Sequence, residues 1–230
     1  MESGNTGGRK KLEPDPTVRA AILAGALEVL REQGVGALSI AQVLDRSQLS
    51  TRAFYRHFDS KDQLVSALFL EMAQVEVTRL RKRMAVAPDP VRAVAAWIDG
   101  RLDLAFSDQI RSDLRRVSVE AQSQMFAAPE LVGPAYREIL CPLIEQLHDG
   151  VKSGLFTDIS PDDEAMSIQG VVWSNIERQW ATGSRDLGDL RDSVQRFCLR
   201  GLGVPGASIA EILGETTIRR PKSRTRKVSP

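Results

Sequence analysis

The sequence predicts an all-α protein, on three observations. Through most of its 230 residues, apolar positions recur every three or four residues, the period of a helix with one buried face. Cap-and-proline pairs, Asp15-Pro16, Asp89-Pro90 and Ser160-Pro161, stand directly before such stretches. No run alternates apolar and polar residues as a half-buried strand does. About nine helices follow from the pattern.

In chain order, residues 1–14 are Gly- and Lys-rich and polar, a disordered N-terminal arm. A helix from Pro16 to Gln33 carries Ile22, Leu23, Ala26, Leu27, Val29 and Leu30 on one side and stops at Gly34. Ser39 and Gln42 have the spacing of a capping box, so a second helix starts at Ile40, with Val43 and Leu44 completing its stripe. Leu49 is the one apolar residue of the connection that follows. Ser50 caps a third helix whose inner side is Ala53, Phe54 and Phe58, leaving Thr51, Arg52, Tyr55, Arg56 and His57 outward. Ser60 and Gln63 repeat the box and open a fourth helix, from Lys61 to about Met84, with Leu64, Leu68, Met72 and Val75 as its stripe. Arg79, Arg81, Lys82 and Arg83 crowd its end, where cations suit the helix dipole.

Helices then follow from Pro90 to about Phe106 and over residues 108–124. Residues 125–134, with two prolines and a glycine, read as a connection, and a strongly periodic helix runs from Ala135 to about Ser153. The helix from Pro161 to Trp180 is apolar on more than one face and so calls for two burial partners. The last long helix, 187–202, carries Leu190, Val194, Phe197 and Cys198 on a stripe, with Arg191, Gln195, Arg196 and Arg200 behind it. A short turn at Ile209 to Leu213 leads into a basic tail.

Composition narrows the function. The tail from Arg219 holds six cations and no acid, while residues 1–15 balance at zero, so a net charge of +1 leaves 16–218 at −5. Any affinity for a polyanion must therefore be local to a motif. Cys141 and Cys198 have no metal-ligand spacing, no apolar run reaches membrane-spanning length, and the start lacks a signal-peptide core. These features suit a cytoplasmic protein. No nucleophile elbow, glycine-rich phosphate loop or paired-histidine metal motif occurs, so no catalytic residue, metal site or cofactor is assigned. Asp162, Asp163 and Glu164 form the acidic first turn of a helix.

The outward face of residues 51–61 combines a tyrosine, two arginines, a histidine and a lysine, with Asp59 as its nearby acid. Such a face suits nucleic acid; the alternative is a solvated helical hairpin. The run Leu49-Ser50, Phe54-Tyr55-Arg56-His57-Phe58 and Ser60-Lys61-Asp62-Gln63-Leu64 resembles the DNA-binding signature of the TetR family of bacterial repressors. This resemblance covers about fifty residues, Pro16 to Leu64; beyond it the chain matches in helical layout and length. Two departures stand out: Gln48 in the turn and Arg52 two residues after the serine, where the family often has glycine.

The resemblance implies a helix-turn-helix domain over 15–62, a ligand-binding and dimerisation domain over 63–205 and a C-terminal extension over 206–230. It implies a repressor that binds a palindromic operator in double-stranded DNA as a homodimer and answers to a small-molecule effector. Ser39, Ser50, Thr51, Arg52, Tyr55, Arg56, His57 and Lys61 are the candidate DNA-binding residues. Trp97, Phe106, Phe126, Tyr136 and Trp173 are candidates for an effector pocket, and their makeup leans toward a hydrophobic or aromatic compound. Val172, Ile176, Trp180, Leu190, Val194 and Phe197 are candidates for the dimer interface. The rival class is an all-helical carrier or enzyme that keeps the fold without binding DNA.

Overall fold

The computed structural model describes residues 15–106 and 128–218, and every regular element among them is helical. In order these are α1 (Pro16–Gln33), α2 (Ile40–Ser47), α3 (Thr51–Phe54), α4 (Lys61–Met84) and α5 (Pro90–Leu102) with a 3-10 turn at Asp103–Ala105. After residue 128 come α6 (Pro129–Lys152), α7 (Pro161–Thr182), α8 (Leu187–Gly201) and α9 (Gly206–Ile218). The arm 1–14, the helix expected at 108–124, Phe126 and the tail 219–230 lie outside the described residues.

Local chemistry sets most starts. Asp15 and Asp89 accept from Thr17 N at 2.9 Å and Arg92 N at 2.8 Å, each ahead of a proline in the first turn. Ser160 also stands at a helix start, but its side chain makes no capping bond, and Pro161 with three acids occupies that first turn. The helix expected from Ala135 begins six residues earlier, at Pro129. Proline at the first helical position loses no bond, because that N–H has no intrahelical partner. Pro134 and Pro142 remain inside the helix. The short turn expected at 209–213 is the middle of thirteen-residue α9, whose Ile209, Ile212 and Leu213 are buried. Conversely, α5 stops at Leu102 and gives way to the 3-10 turn before Phe106.

The described residues form two compact units, the first mainly 15–69 and the second mainly 70–106 with 133–218. In the first, Ile22, Ala26, Leu30, Val43, Phe54 and Leu64 are fully buried. Gly25 lets α1 and α2 approach closely, since a Cβ there would lie 3.2 Å from the Val43 carbonyl oxygen. In the second unit α4 buries Ala73, Val77, Leu80 and Met84, while Met72 is half-buried and Val75 is 70% exposed. The expected stripe therefore ends at Leu68. The residues buried here, Ala73, Val77, Leu80 and Met84, lie about half a turn round the helix from Leu64, whereas Val75 lies nearly in line with it.

The second unit has a buried polar seam. Arg191 and Gln195 of α8, expected on its outer side, are 8% and 1% exposed. Gln195 Nε2 donates to Asp99 Oδ1 at 2.7 Å and to the Ala95 carbonyl at 3.2 Å, and Arg191 pairs with Asp99 and Asp103. From α4, Arg83 reaches the same two carboxylates. Arg79 binds Glu76 through two bonds of 2.8 Å and the Gly100 carbonyl at 2.7 Å. Arg101, 5% exposed, donates to the other side of the arrangement, at Glu76 Oε1, 3.0 Å away. Burial would raise the Glu76 carboxyl, but the Arg79 hydrogen bonds and the charges of Arg101 and Arg79 hold it below the usual value. Arg79 and Arg83, at the end of α4, are thus structural.

Candidate nucleic-acid interface

The reading face is built by two caps and two phenylalanines. Ser39 Oγ accepts from Gln42 N at 3.3 Å, and Gln42 Oε1 accepts from Ser39 N at 3.2 Å, closing the capping box of α2. At the turn, Gln48 adopts the left-handed conformation (φ 55°, ψ 38°) and its Nε2 donates to the Asp45 carbonyl at 2.6 Å. A glutamine can thus occupy the position, with a side-chain bond in place of a glycine's freedom. Ser50 Oγ accepts from Ala53 N at 3.3 Å and starts α3. That helix is a single α turn, shorter than the sequence reading placed it. Backbone bonds from His57 N and Phe58 N to the Phe54 carbonyl, 2.8 and 3.0 Å, carry the coiling onward.

Phe54 is wholly buried, edge-on to Tyr55 at 5.3 Å between centroids and 5.7 Å from Phe58, which is 2% exposed. Arg19 of α1 covers Phe58 with its guanidinium 5.4 Å from the ring centre. With these rings anchored, Thr51, Arg52, Tyr55 and Arg56 all face solvent, Tyr55 with 54% of its surface. His57 and Lys61 are half-buried beside them, and Ser39 sits apart at the head of α2.

Charge pairing separates the arginines of this unit. Arg46 grips Glu32 with both terminal nitrogens, at 3.0 and 2.5 Å, which fastens α2 to α1 and leaves it no free fork. Among the described residues, Arg52 and Arg56 make no hydrogen bond or ion pair with another side chain. Two unpaired guanidiniums flanking a tyrosine and a threonine match what base edges and phosphate oxygens accept.

Residues 22–68 match the model of bacterial regulatory proteins of the tetR family. The N-terminal unit is a TetR-family domain. The chain is 39% identical over 77 residues to the HTH-type transcriptional repressor Rv3405c of Mycobacterium tuberculosis and to the same degree to the HTH-type transcriptional regulator Mb3439c of Mycobacterium bovis. In each case the match takes in 34% of this chain and 40% of the relative, so the chain spans under half the length of the curated relatives it matches.

The wider TetR-like fold extends over the second unit too. Salmonella enterica GusR has a TM-score of 0.65 at 20% identity, over 84% of this chain and 100% of that one. RolR in complex with resorcinol has a TM-score of 0.62 at 20% identity, over 89% and 94%. The regulator FadR from Bacillus subtilis with stearoyl-CoA gives 0.63 at 17%, over 79% and 98%.

The other expected residues fall as follows. Trp97 is fully buried, its Nε1 donating to the Ile139 carbonyl at 3.3 Å; Phe106 and Tyr136 are half-buried and Trp173 is buried. Burial raises the Tyr136 hydroxyl above its ordinary value, an effect that nearby Arg101 opposes. Val172, Ile176, Leu190 and Val194 are at most 2% exposed within a single chain, so a partner can add little to their burial. What α7 and α8 leave at the surface is Met166 (67% exposed), Phe197 (66%) and half-buried Val171 and Trp180. A groove of about 250 Å³ runs between Val171, Asn175, Arg178, Ser193 and Phe197. Burial lifts the Cys198 thiol to about 12 and raises Cys141 as well, which keeps both as thiols at neutral pH. Among the described residues no helix is long and apolar enough to cross a membrane, and no group of side chains could hold a metal ion.

Proposed function

We propose that the chain is a DNA-binding transcriptional regulator, a cytoplasmic repressor whose operator is read by residues 50–61. The solvent-facing guanidiniums of Arg52 and Arg56 beside Thr51 and Tyr55 carry this reading: among the described residues they have no ion-pair partner, whereas Arg46 is spent on Glu32. Arg52 stands at the second position of α3 and has the fork that matches guanine O6 and N7. Ser50, His57 and Lys61 hold phosphates at its edges. The curated relatives, a repressor and a regulator, support the same role.

Dimerisation joins this reading through Phe197, an exposed aromatic over the α7–α8 groove, and Met166. Two copies present two reading faces and so select a palindrome. A small-molecule effector bound in the second unit biases α4, which continues into the reading unit; solved relatives held resorcinol and stearoyl-CoA. Selection of random duplexes by the purified full chain tests the core of this. Enrichment of a palindromic sequence that Tyr55→Ala abolishes supports it, and an unenriched pool sinks it in favour of a carrier or enzyme on the same fold.

A further inference from the structure

Arg19 of α1 lies outside the face formed by residues 50–61, yet it is held against it. The residue is exposed, and its guanidinium stands 5.4 Å from the centre of the Phe58 ring. Stacking on a ring uses the flat side of a guanidinium and leaves its in-plane N–H groups free to donate. Among the described residues nothing takes those donors, for the Arg19 side chain makes no hydrogen bond or ion pair. Asp15, four residues earlier, gives its Oδ1 to Thr17 N instead. Arg46 shows the contrast: it spends two charged bonds on Glu32 and has Glu28 3.5 Å away. Arg19 is fixed by an aromatic contact with its hydrogen-bonding edge left open.

Packing sets its position relative to the reader. Phe58, 2% exposed, packs on wholly buried Phe54, which meets Tyr55 edge-on. Contacts of 5.4, 5.7 and 5.3 Å thus link the guanidinium to the Tyr55 ring and bound their separation at about 16 Å. The major groove is about 12 Å wide and about 8.5 Å deep, so a base edge at its floor lies roughly 10 Å from the phosphates of either wall. The two lengths are compatible. His57 and Lys61, given to phosphate above, also bracket Phe58 in sequence.

We propose that Arg19 is a phosphate clamp: its guanidinium donates to a backbone oxygen at the wall of the groove and, through Phe58 and Phe54, fixes how far Tyr55 stands from that wall. The clamp rests on the reading of residues 50–61 as the DNA-binding face. It supplies affinity and register but no sequence preference, because every base pair offers the same phosphates. The stack also holds the side chain in place beforehand, which reduces the ordering that binding requires of it.

Titration of the full chain with the selected operator and with a scrambled duplex of equal length, between about 50 and 200 mM salt, tests the clamp. Losing one phosphate contact lowers the slope of log affinity against log salt by about 0.9 and weakens binding about eightfold at about 0.1 M salt. Arg19→Met, whose thioether still covers Phe58, and Arg19→Gln should each show both changes on both duplexes; Met and Gln are good helix formers. Arg19→Lys keeps the charge and should keep the slope. An unchanged slope in Arg19→Met and Arg19→Gln overturns the clamp, as does a fall confined to the operator or an equal fall in Arg19→Lys. A residue that merely covers Phe58 would move the melting temperature and leave the slope alone. The two readings separate cleanly. A protein that selects an operator and keeps its slope without Arg19 loses the clamp and keeps its reader. One that binds both duplexes alike, with a slope that falls in Arg19→Met, keeps the clamp and loses sequence reading, and one that binds neither loses both.

Discussion

Glu76→Gln is the sharpest probe of how α4 is held in the second unit. The change keeps the shape of the side chain and removes the charge that Arg79 and Arg101 share. Arg101, 5% exposed with its 3.0 Å bond to Glu76 Oε1, is left without a carboxylate, and Arg79 loses the second of two 2.8 Å charged bonds. Removing one member of a fully buried pair costs about 3–5 kcal/mol. The Glu76 side chain is 15% exposed and that of Arg79 39%, so the lower end applies, about 3 kcal/mol. For a protein of this size that lowers the melting temperature by roughly 6–12 °C. The effect has a pH signature. Because the folded-state pKa of Glu76 lies below the ordinary 4.5, its contribution is full above that value and is lost as pH falls through the folded value. Urea titrations of both proteins at pH 7 and pH 3.5 should show a gap that narrows in acid. A cost under about 1 kcal/mol at pH 7, or a gap that persists unchanged at pH 3.5, refutes the role given to this ion pair.

Two further substitutions separate assembly from turn chemistry. Phe197→Glu puts charge on a side chain 66% exposed in a single chain, so it should leave subunit stability within about 0.5 kcal/mol yet shift sedimentation from dimer to monomer; wild-type protein that sediments as a monomer at micromolar concentration contradicts the proposed interface. Gln48→Gly relieves the left-handed strain but gives up the 2.6 Å bond to the Asp45 carbonyl and loosens the unfolded chain, so chemical denaturation should find a net change under about 0.5 kcal/mol. A gain above about 1.5 kcal/mol would show that the side-chain bond does nothing at this turn.

The reading unit was legible because its determinants are local. A capping box, an Asp-Pro start and an S-x-x-x-F-Y-x-H-F run each act within a few residues, and Ser39, Asp15 and Phe54 sit where their spacing puts them. The second unit was legible as helices but not as faces. Arg191 and Gln195 follow the polar pattern of an outer surface, yet Asp99 and Asp103, about 90 residues earlier, draw them inward. Nothing in the spacing of α8 signals a partner that distant. Val194 and Leu190 fit an interface pattern as well as a core one; only packing distinguished them, and it left Phe197 outside.

That the face of α3 reads DNA is tested most directly by titrating wild-type protein and Arg52→Ala against the selected operator and against copies with one guanine replaced at each half-site. Arg52 is exposed and has no hydrogen bond or ion pair among the described residues, so its removal should leave the fold intact. Wild type should prefer the intact operator by about 1–3 kcal/mol at one guanine position, and Arg52→Ala should bind both duplexes with the same affinity. Discrimination that survives Arg52→Ala at every guanine contradicts the assignment of this face as the reader.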